Sequence, residues 1–180
     1  MEDRNPKIIF FGAVTFILII ALSWMLSSGK VGLFAAQLEV SARKTQQVDA
    51  TWQSIKSEEG SLAAFLFYNE AKDDYTYSIY INRPGLSFGY FFRAGGFDSL
   101  IGESVLVAAC PIGDDTAYSL LSTNTGKVAR IDVGTGDEDT QIELDPEAPF
   151  ALALPAGTDI DTVSLYDKDG QLVPYYVSPQ

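Results

Sequence analysis

Few side chains in this sequence have the type and spacing that chemistry requires, and the clearest group is acidic. Asp132, Asp137 and Asp139 gather around a pair of closely spaced glycines. Ca²⁺ takes about six to eight oxygen ligands, and the carboxylates and carbonyls of a tight loop can supply them. The spacing differs from that of an EF-hand, so a solvated hairpin loop is the alternative interpretation. These three residues are the metal candidates, and no bound cofactor is predicted.

A second group combines aromatic and basic side chains. Residues 75–81 and 86–92 alternate as two strands would, and in this pattern Tyr80 and Phe91 point away from the expected core face. Arg93 and Phe97 follow closely in the sequence. Exposed aromatic residues beside an arginine are typical of interaction surfaces. We therefore predict an interaction patch made of these four residues. The alternative is that a helix covers this face and that the aromatic residues are packing residues.

The absence of histidine and the single cysteine, Cys110, remove most familiar chemistries. They exclude Cys/His zinc sites, catalysis by Ser-His-Asp or Cys-His groups, haem bound through histidine, and intramolecular disulfides. Carboxylate chemistry, such as a pair made by Glu58 or Glu59 with Glu70, would need a set separation across a cleft. We predict that the protein is not an enzyme.

The elements that must position these side chains are mainly strands. From residue 60 onward, short runs of β-branched and aromatic residues alternate with clusters of Gly, Pro, Asn and Asp. Residues 75–81 and 86–92 read as a hairpin around the turn at 82–85, with one buried aromatic face. That face is predicted to contain Tyr75, Tyr77, Ile79 and Ile81 with Leu86, Phe88, Tyr90 and Phe92.

The remaining strands follow at short, fairly even intervals. They are predicted over residues 103–110, 116–122, 127–133, 141–144, 150–154, 162–166 and 172–177. About nine or ten short strands in one domain indicate an antiparallel β-sandwich, Ig-like in style, with a small barrel as the second choice. The domain is predicted to occupy residues 60–180.

The connector over residues 28–59 is predicted to be largely helical. From Ala35 to Glu59 it contains neither Pro nor Gly, and Leu38, Ala42 and Ile55 belong to one modest apolar stripe. Such a helix either packs on its own domain or forms a coiled-coil stalk.

An apolar run precedes the connector. From Ile8 to Leu26 about 19 residues carry no charge, and as a helix they would span about 28 Å, the thickness of a hydrocarbon core. We predict a transmembrane helix over residues 8–27 that places the chain in a lipid bilayer. A cleaved secretory signal is the alternative, but its apolar region would be shorter.

Charge sets the expected orientation and excludes one class of partner. Arg4 and Lys7 precede the apolar run and only Lys30 follows closely, which favours a cytoplasmic N-terminus over residues 1–7 and an extracytoplasmic C-terminal domain in the cell membrane. The chain carries a net charge of −12, so nucleic-acid binding is not expected.

The order of elements resembles that of type IV pilins and pseudopilins, which have an apolar N-terminal helix followed by a β-rich domain. The run from Gly12 to Ile17 offers a small residue but no acidic residue, so the pilin motif is lacking. We expect a single-pass, non-catalytic binding or assembly module of the cell envelope, with an envelope protein as partner. The resemblance implies the alternative of a structural subunit in an envelope filament or secretion complex.

Overall fold

The computed structural model of the protein describes residues 6–27, 31–83, 88–134 and 139–179. Over these residues the chain is mainly β, as predicted, with strands at most of the expected positions. The helices are α1 (Pro6–Ser27), α2 (Leu38–Thr45) and α3 (Ser99–Glu103). The strands are β1 (Gln53–Glu59), β2 (Leu62–Tyr68), β3 (Tyr75–Asn82), β4 (Tyr90–Gly96), β5 (Leu106–Ile112), β6 (Asp115–Ser122), β7 (Val128–Gly134), β8 (Asp139–Glu143), β9 (Phe150–Ala153), β10 (Val163–Asp167) and β11 (Tyr176–Pro179).

Helix α1 forms where the apolar run predicts a helix. The consecutive side chains from Phe16 to Ile20 are all exposed, so they project from every side of the helix. Among the residues that the structure describes, however, no helix combines the length and apolar character needed to cross a membrane. The prediction of a transmembrane helix over residues 8–27 is therefore not supported by the fold. Residues 1–5 of the predicted cytoplasmic N-terminus lie outside the described residues.

The prediction of a long helix in the connector (residues 28–59) is wrong. Helix α2 is short, and the end of the connector is strand β1, which pairs antiparallel with β2. The chain leaves α2 at Gln47, whose φ of 55° is left-handed, and the Val48 N–H donates to the Arg43 carbonyl at 2.9 Å. This bond closes a Schellman-type helix end, a position that glycine usually takes. With glutamine there, the sequence contains no obvious stop signal.

The strands form three sheets, one more than a simple sandwich. Their strand orders are β1-β2-β3-β4, β11-β5-β6-β9 and β10-β7-β8. The second sheet lies in the middle, because Leu106 and Leu121 belong to the apolar cluster shared with the first sheet, and Val107 and Leu120 to the cluster shared with the third. Pairing is antiparallel, as expected, except between β11 and β5, which run parallel.

Helix α2 covers the outer face of the first sheet. Leu38 and Ala42 of α2 pack against Phe65, Phe67 and Tyr80. Strand β2 is consequently buried along its whole length, with neighbours on both faces. The apolar stripe of the connector thus packs on its own domain, which was one of the two interpretations of the predicted helix.

The segment between α1 and α2 extends the first sheet at its β4 edge. The Gly32 N–H donates to the Phe88 carbonyl at 2.6 Å, and Leu33 and Tyr90 exchange two backbone hydrogen bonds of 2.9 and 2.8 Å. A side chain at Gly32 would collide with the Tyr90 carbonyl, so this close approach requires glycine. The chain that leaves α1 is therefore tied to the sheet five residues after the helix ends.

Candidate functional site

The register of the β3–β4 hairpin decides which aromatic side chains share a face. Ile81 pairs with Phe91, and Tyr80 pairs with Phe92. Directly paired residues project to the same face. Phe91 therefore lies on the side of Ile81, and Tyr80 lies on the opposite side. The prediction that Tyr80 and Phe91 share one face is wrong, because the second strand is shifted by one residue from the assumed phase.

A β-bulge places Arg93 where regular pairing would not. Ile79 pairs with Ala94 while Tyr80 pairs with Phe92, so Arg93 is the extra residue of β4. Bulges bend a strand and change the direction of the side chain they carry. Arg93 and Phe91 both reach a groove at this end of the first sheet.

The groove lies between the β3–β4 hairpin and the turn that joins β5 to β6. It encloses a volume of about 360 Å³. No acidic side chain is among its described lining residues, although the chain as a whole is strongly acidic. The lining residues are Ile81, Arg83, Phe91, Phe92, Arg93, Pro111, Ile112 and Gly113.

The arginine at the end of β3 is held by an aromatic ring. The guanidinium carbon of Arg83 lies 4.5 Å from the centroid of the Phe91 ring. A guanidinium held near a ring face by a cation–π contact still has N–H groups that can bind a carboxylate or phosphate through two hydrogen bonds. None of the ion pairs between described residues includes Arg83.

A chain of aromatic contacts supports the groove from below. The Phe92 ring meets the Tyr80 ring edge-on, with centroids 5.7 Å apart, and Tyr80 meets Phe65 in the same manner at 6.1 Å. Tyr80 is almost fully buried. The Phe92 ring, which lines the groove, is therefore fixed on a packed core.

Cys110 lies buried next to the wall of the groove. Burial raises the pKa of its thiol to about 11, and the positive charge of Arg93 acts in the opposite direction. At neutral pH the thiol is therefore protonated and a poor nucleophile. Among the described groove residues there is neither a carboxylate nor an activated nucleophile, so the arrangement is suited to binding anions.

The predicted interaction patch is thus brought together only in part. Phe91 and Arg93 meet in the groove, whereas Tyr80 lies beneath it. Phe97 is exposed, but it follows the far end of β4 and stacks on Tyr75 with centroids 5.1 Å apart. The four residues therefore do not lie on one exposed surface, because Tyr80 is buried on β3 and Phe97 lies beyond the far end of β4.

The calcium candidates fall mostly outside the described part of the chain. Asp137 and the side chain of Asp139 are not described. Asp132 lies on β7 with its Oδ1 atom 2.9 Å from the Nε atom of Arg130, an ion pair that lacks hydrogen-bond alignment. Arg130 also lies over the Tyr166 ring, 4.4 Å from its centroid. Over the described ranges, no cluster of three or more metal-ligating side chains is found.

The carboxylates weighed as an acid and base pair lie at opposite ends of the first sheet. Glu59 pairs with Leu62 at one end, while Glu70 follows the Tyr68–Tyr75 pair at the other. Six residues of strand separate the two ends by about 20 Å. That distance is too large for the two groups to act on one glycosidic bond.

Sequence reasoning missed Arg83 and the wall made by Pro111, Ile112 and Gly113. A signal for Arg83 exists in the sequence. In a hairpin whose first strand ends near Asn82, the next residue lies close to the first residues of the second strand, β4. The wall has no local signal, because it belongs to another sheet and meets the hairpin only through tertiary packing.

Comparison with protein-family models, curated proteins and solved structures finds no match for this chain.

Proposed function

We propose that the protein is a single-pass, membrane-anchored binding or assembly module without catalytic activity, whose β domain lies outside the cytoplasm. Helix α1 is the proposed anchor and the groove at Arg83, Phe91 and Arg93 is the proposed binding site. The observation that carries the proposal is the exposure of large apolar side chains on every side of α1.

The anchor is supported by the chemistry of α1. Exposed side chains from Phe16 to Ile20 would be unfavourable in water, and a bilayer gives all of them an apolar surrounding. The Thr15 hydroxyl donates to the Phe11 carbonyl at 2.9 Å, so this polar group is satisfied within the helix. An apolar helix with satisfied polar groups is the kind of segment that hydrocarbon accepts.

A binding role without catalysis is supported by the groove. The charged side chains among its described lining residues are two guanidinium groups, which act as hydrogen-bond donors. Groups of this kind recognise anions but do not exchange protons. The fixed aromatic rings and the apolar wall would give such a site its shape.

Membrane association and topology can be tested on the full-length chain. After expression in a bacterial host, we expect the protein to stay with the membrane through alkaline extraction. In spheroplasts, a Leu172→Cys variant should react with a membrane-impermeant maleimide, since Leu172 is 70% exposed. An Asn5→Cys variant should react only after permeabilisation, and the wild type serves as the control because Cys110 is buried.

Two outcomes would contradict the proposal. Recovery of the unprocessed chain in the aqueous fraction would remove the anchor. Labelling of Asn5→Cys in intact spheroplasts, with protection of Leu172→Cys, would reverse the topology.

The alternative role as a filament or secretion-complex subunit gains no support from the connector. In such a subunit the predicted connector helix, with its apolar stripe from Leu38 to Ile55, would pack between subunits, but helix α2 ends at Thr45. The apolar residues Leu38 and Ala42 are buried inside their own domain, so they are not available to a neighbouring subunit.

A further inference from the structure

We propose that the groove between the β3–β4 hairpin and the β5–β6 turn binds the phosphate of a membrane phospholipid headgroup, with Arg83 and Arg93 as its ligands. This inference rests on the proposed membrane anchoring and names the partner of the proposed binding site. The phospholipid would hold one end of the acidic domain against the bilayer.

The position of the groove along the chain places it near the membrane surface. Helix α1 ends at Ser27, and Gly32 lies so close to the groove that a Cβ atom on it would be 3.1 Å from the Phe91 ring. Five residues of extended chain reach at most about 18 Å. The headgroup layer of one leaflet is itself roughly 5–8 Å thick. An anchored α1 therefore brings the groove within reach of lipid phosphates.

Two exposed phenylalanines border the same region. Phe88 accepts a backbone hydrogen bond from Gly32, and Phe34 follows directly on the segment that pairs with β4. Their side chains are 53% and 66% exposed. Phenylalanine rings gain an apolar surrounding at the boundary between headgroups and hydrocarbon, so a bilayer accounts for side chains that water leaves uncovered.

The charge distribution favours an anion at this end of the molecule. The chain carries 24 acidic and 12 basic residues, and the described lining of the groove contains two arginines and no carboxylate. Guanidinium groups bind phosphate oxygens in a bidentate manner. An acidic peptide offers similar chemistry, but the short path from α1 puts lipid phosphates nearest to the groove.

Photo-crosslinking of the full-length chain in nanodiscs of phosphatidylcholine and phosphatidylglycerol tests the inference. Benzoylphenylalanine is introduced in place of Phe88 or, as the control, in place of Leu172, which is also exposed and lies before β11. We expect a lipid adduct, detected by mass, at position 88 and none at position 172. Equal adducts at both positions, or none at position 88, would overturn the inference.

The role of the groove arginines is tested by removing the charge of Arg83 in the chain that carries benzoylphenylalanine at position 88. Arg83→Gln should lower the adduct yield about fivefold, the effect expected of one basic side chain at a lipid surface. Lys168→Gln removes the same charge from an exposed turn and should leave the yield unchanged. Equal yields in the two variants would contradict a role for the groove.

Competition with soluble anions distinguishes a lipid phosphate from an anion in solution as the ligand of the groove. If the adduct persists in soluble glycerophosphate and in an acidic peptide, the phosphate comes from the lipid. Its loss in either would assign the groove to a soluble anion and overturn the inference. A chain that shows the proposed topology but forms no adduct would overturn this inference alone and leave the anchor standing.

Discussion

Gln47 occupies a backbone conformation that its side chain disfavours. Its φ is 55°, and it ends helix α2 in the position where glycine is usual. The Cβ atom of an L residue costs roughly 1 kcal/mol or more in the left-handed region. Helix α2 ends at Thr45, and the left-handed turn that follows it lacks the glycine that would mark the helix end in the sequence.

Replacing Gln47 by glycine should stabilise the protein. We expect Gln47→Gly to raise the free energy of unfolding by about 0.5–1 kcal/mol, because relief of the left-handed strain exceeds the added freedom of the unfolded chain. Chemical unfolding of the full-length chain in detergent micelles measures the change. The control is Gln46→Gly, at a right-handed position, which should destabilise. Destabilisation by both would show that Gln47 carries no strain.

Cys110 makes stability depend on pH in the alkaline range. Burial raises the pKa of its thiol from 9.0 to about 11, so the folded state keeps the proton over a range in which the unfolded state has lost it. The contribution is fully present below pH 9 and is lost as the pH rises through about 11.

Cys110→Ala isolates this contribution. The free energy of unfolding of the wild type should fall by about 2–3 kcal/mol more than that of the variant between pH 9 and 11. Burial is the main cause of the raised pKa of Tyr77 and is common to both proteins, whereas the smaller contribution from the charge of Cys110 is lost in the variant. Parallel pH profiles for the two proteins would mean that the thiol is solvated in the folded state.

At the scale of elements, strand positions could be predicted far better than strand partners. The alternation from Tyr75 to Ile81 locates β3 and its core face, and all four predicted core residues are buried there. The phase of β4 could not be read in the same way, because every residue from Phe88 to Phe92 except Gly89 is aromatic. Only the pairing of Ile81 with Phe91 decides which of these face the core.

The candidate site could be predicted from the sequence only in part for the same reason. Phe91 and Arg93 were identified as unusual residues, but their meeting with Arg83 depends on the register and on the bulge at Arg93. The opposite wall at Ile112 comes from the second sheet, about 20 residues further along the chain. Periodicity describes one element at a time and carries no information on such contacts.

The segment Val31–Leu33 acts as a short additional strand, and its docking depends on glycine. Gly32→Ala should open this segment from β4 and destabilise the protein by about 1–3 kcal/mol, because the new Cβ atom would collide with the Tyr90 carbonyl. Hydrogen exchange of the Tyr90 amide, which donates to the Leu33 carbonyl, should become faster.

Gly126→Ala serves as the control for this prediction. A Cβ atom there meets only a methyl group of Val173, at 3.2 Å, and the side chain can adjust. Exchange at Tyr90 should be unchanged in this variant. Unaltered exchange in Gly32→Ala as well would show that the segment is not docked on the sheet.

At the scale of the whole molecule, the three sheets form two cores that share one layer. The middle sheet has no solvent-facing side along most of β5 and β6, because alternate residues enter the two apolar clusters. Such a sheet cannot keep one core intact while the other unfolds. The two cores should therefore unfold together, although each contains enough apolar side chains to look like the centre of a separate domain.

Neighbouring leucines of β6 test this coupling, since Leu120 faces the third sheet and Leu121 faces the first. Both are fully buried, so Leu120→Ala and Leu121→Ala should each cost about 2–5 kcal/mol, while exposed Leu172→Ala costs less than about 1 kcal/mol. Unfolding of the full-length chain in micelles, followed by tryptophan fluorescence and by far-ultraviolet circular dichroism, should give one coincident transition in every variant. A second transition that appears in only one of the two core variants would mean that the two cores are independent units. Only independent cores allow one outer sheet to unfold while the middle sheet stays folded.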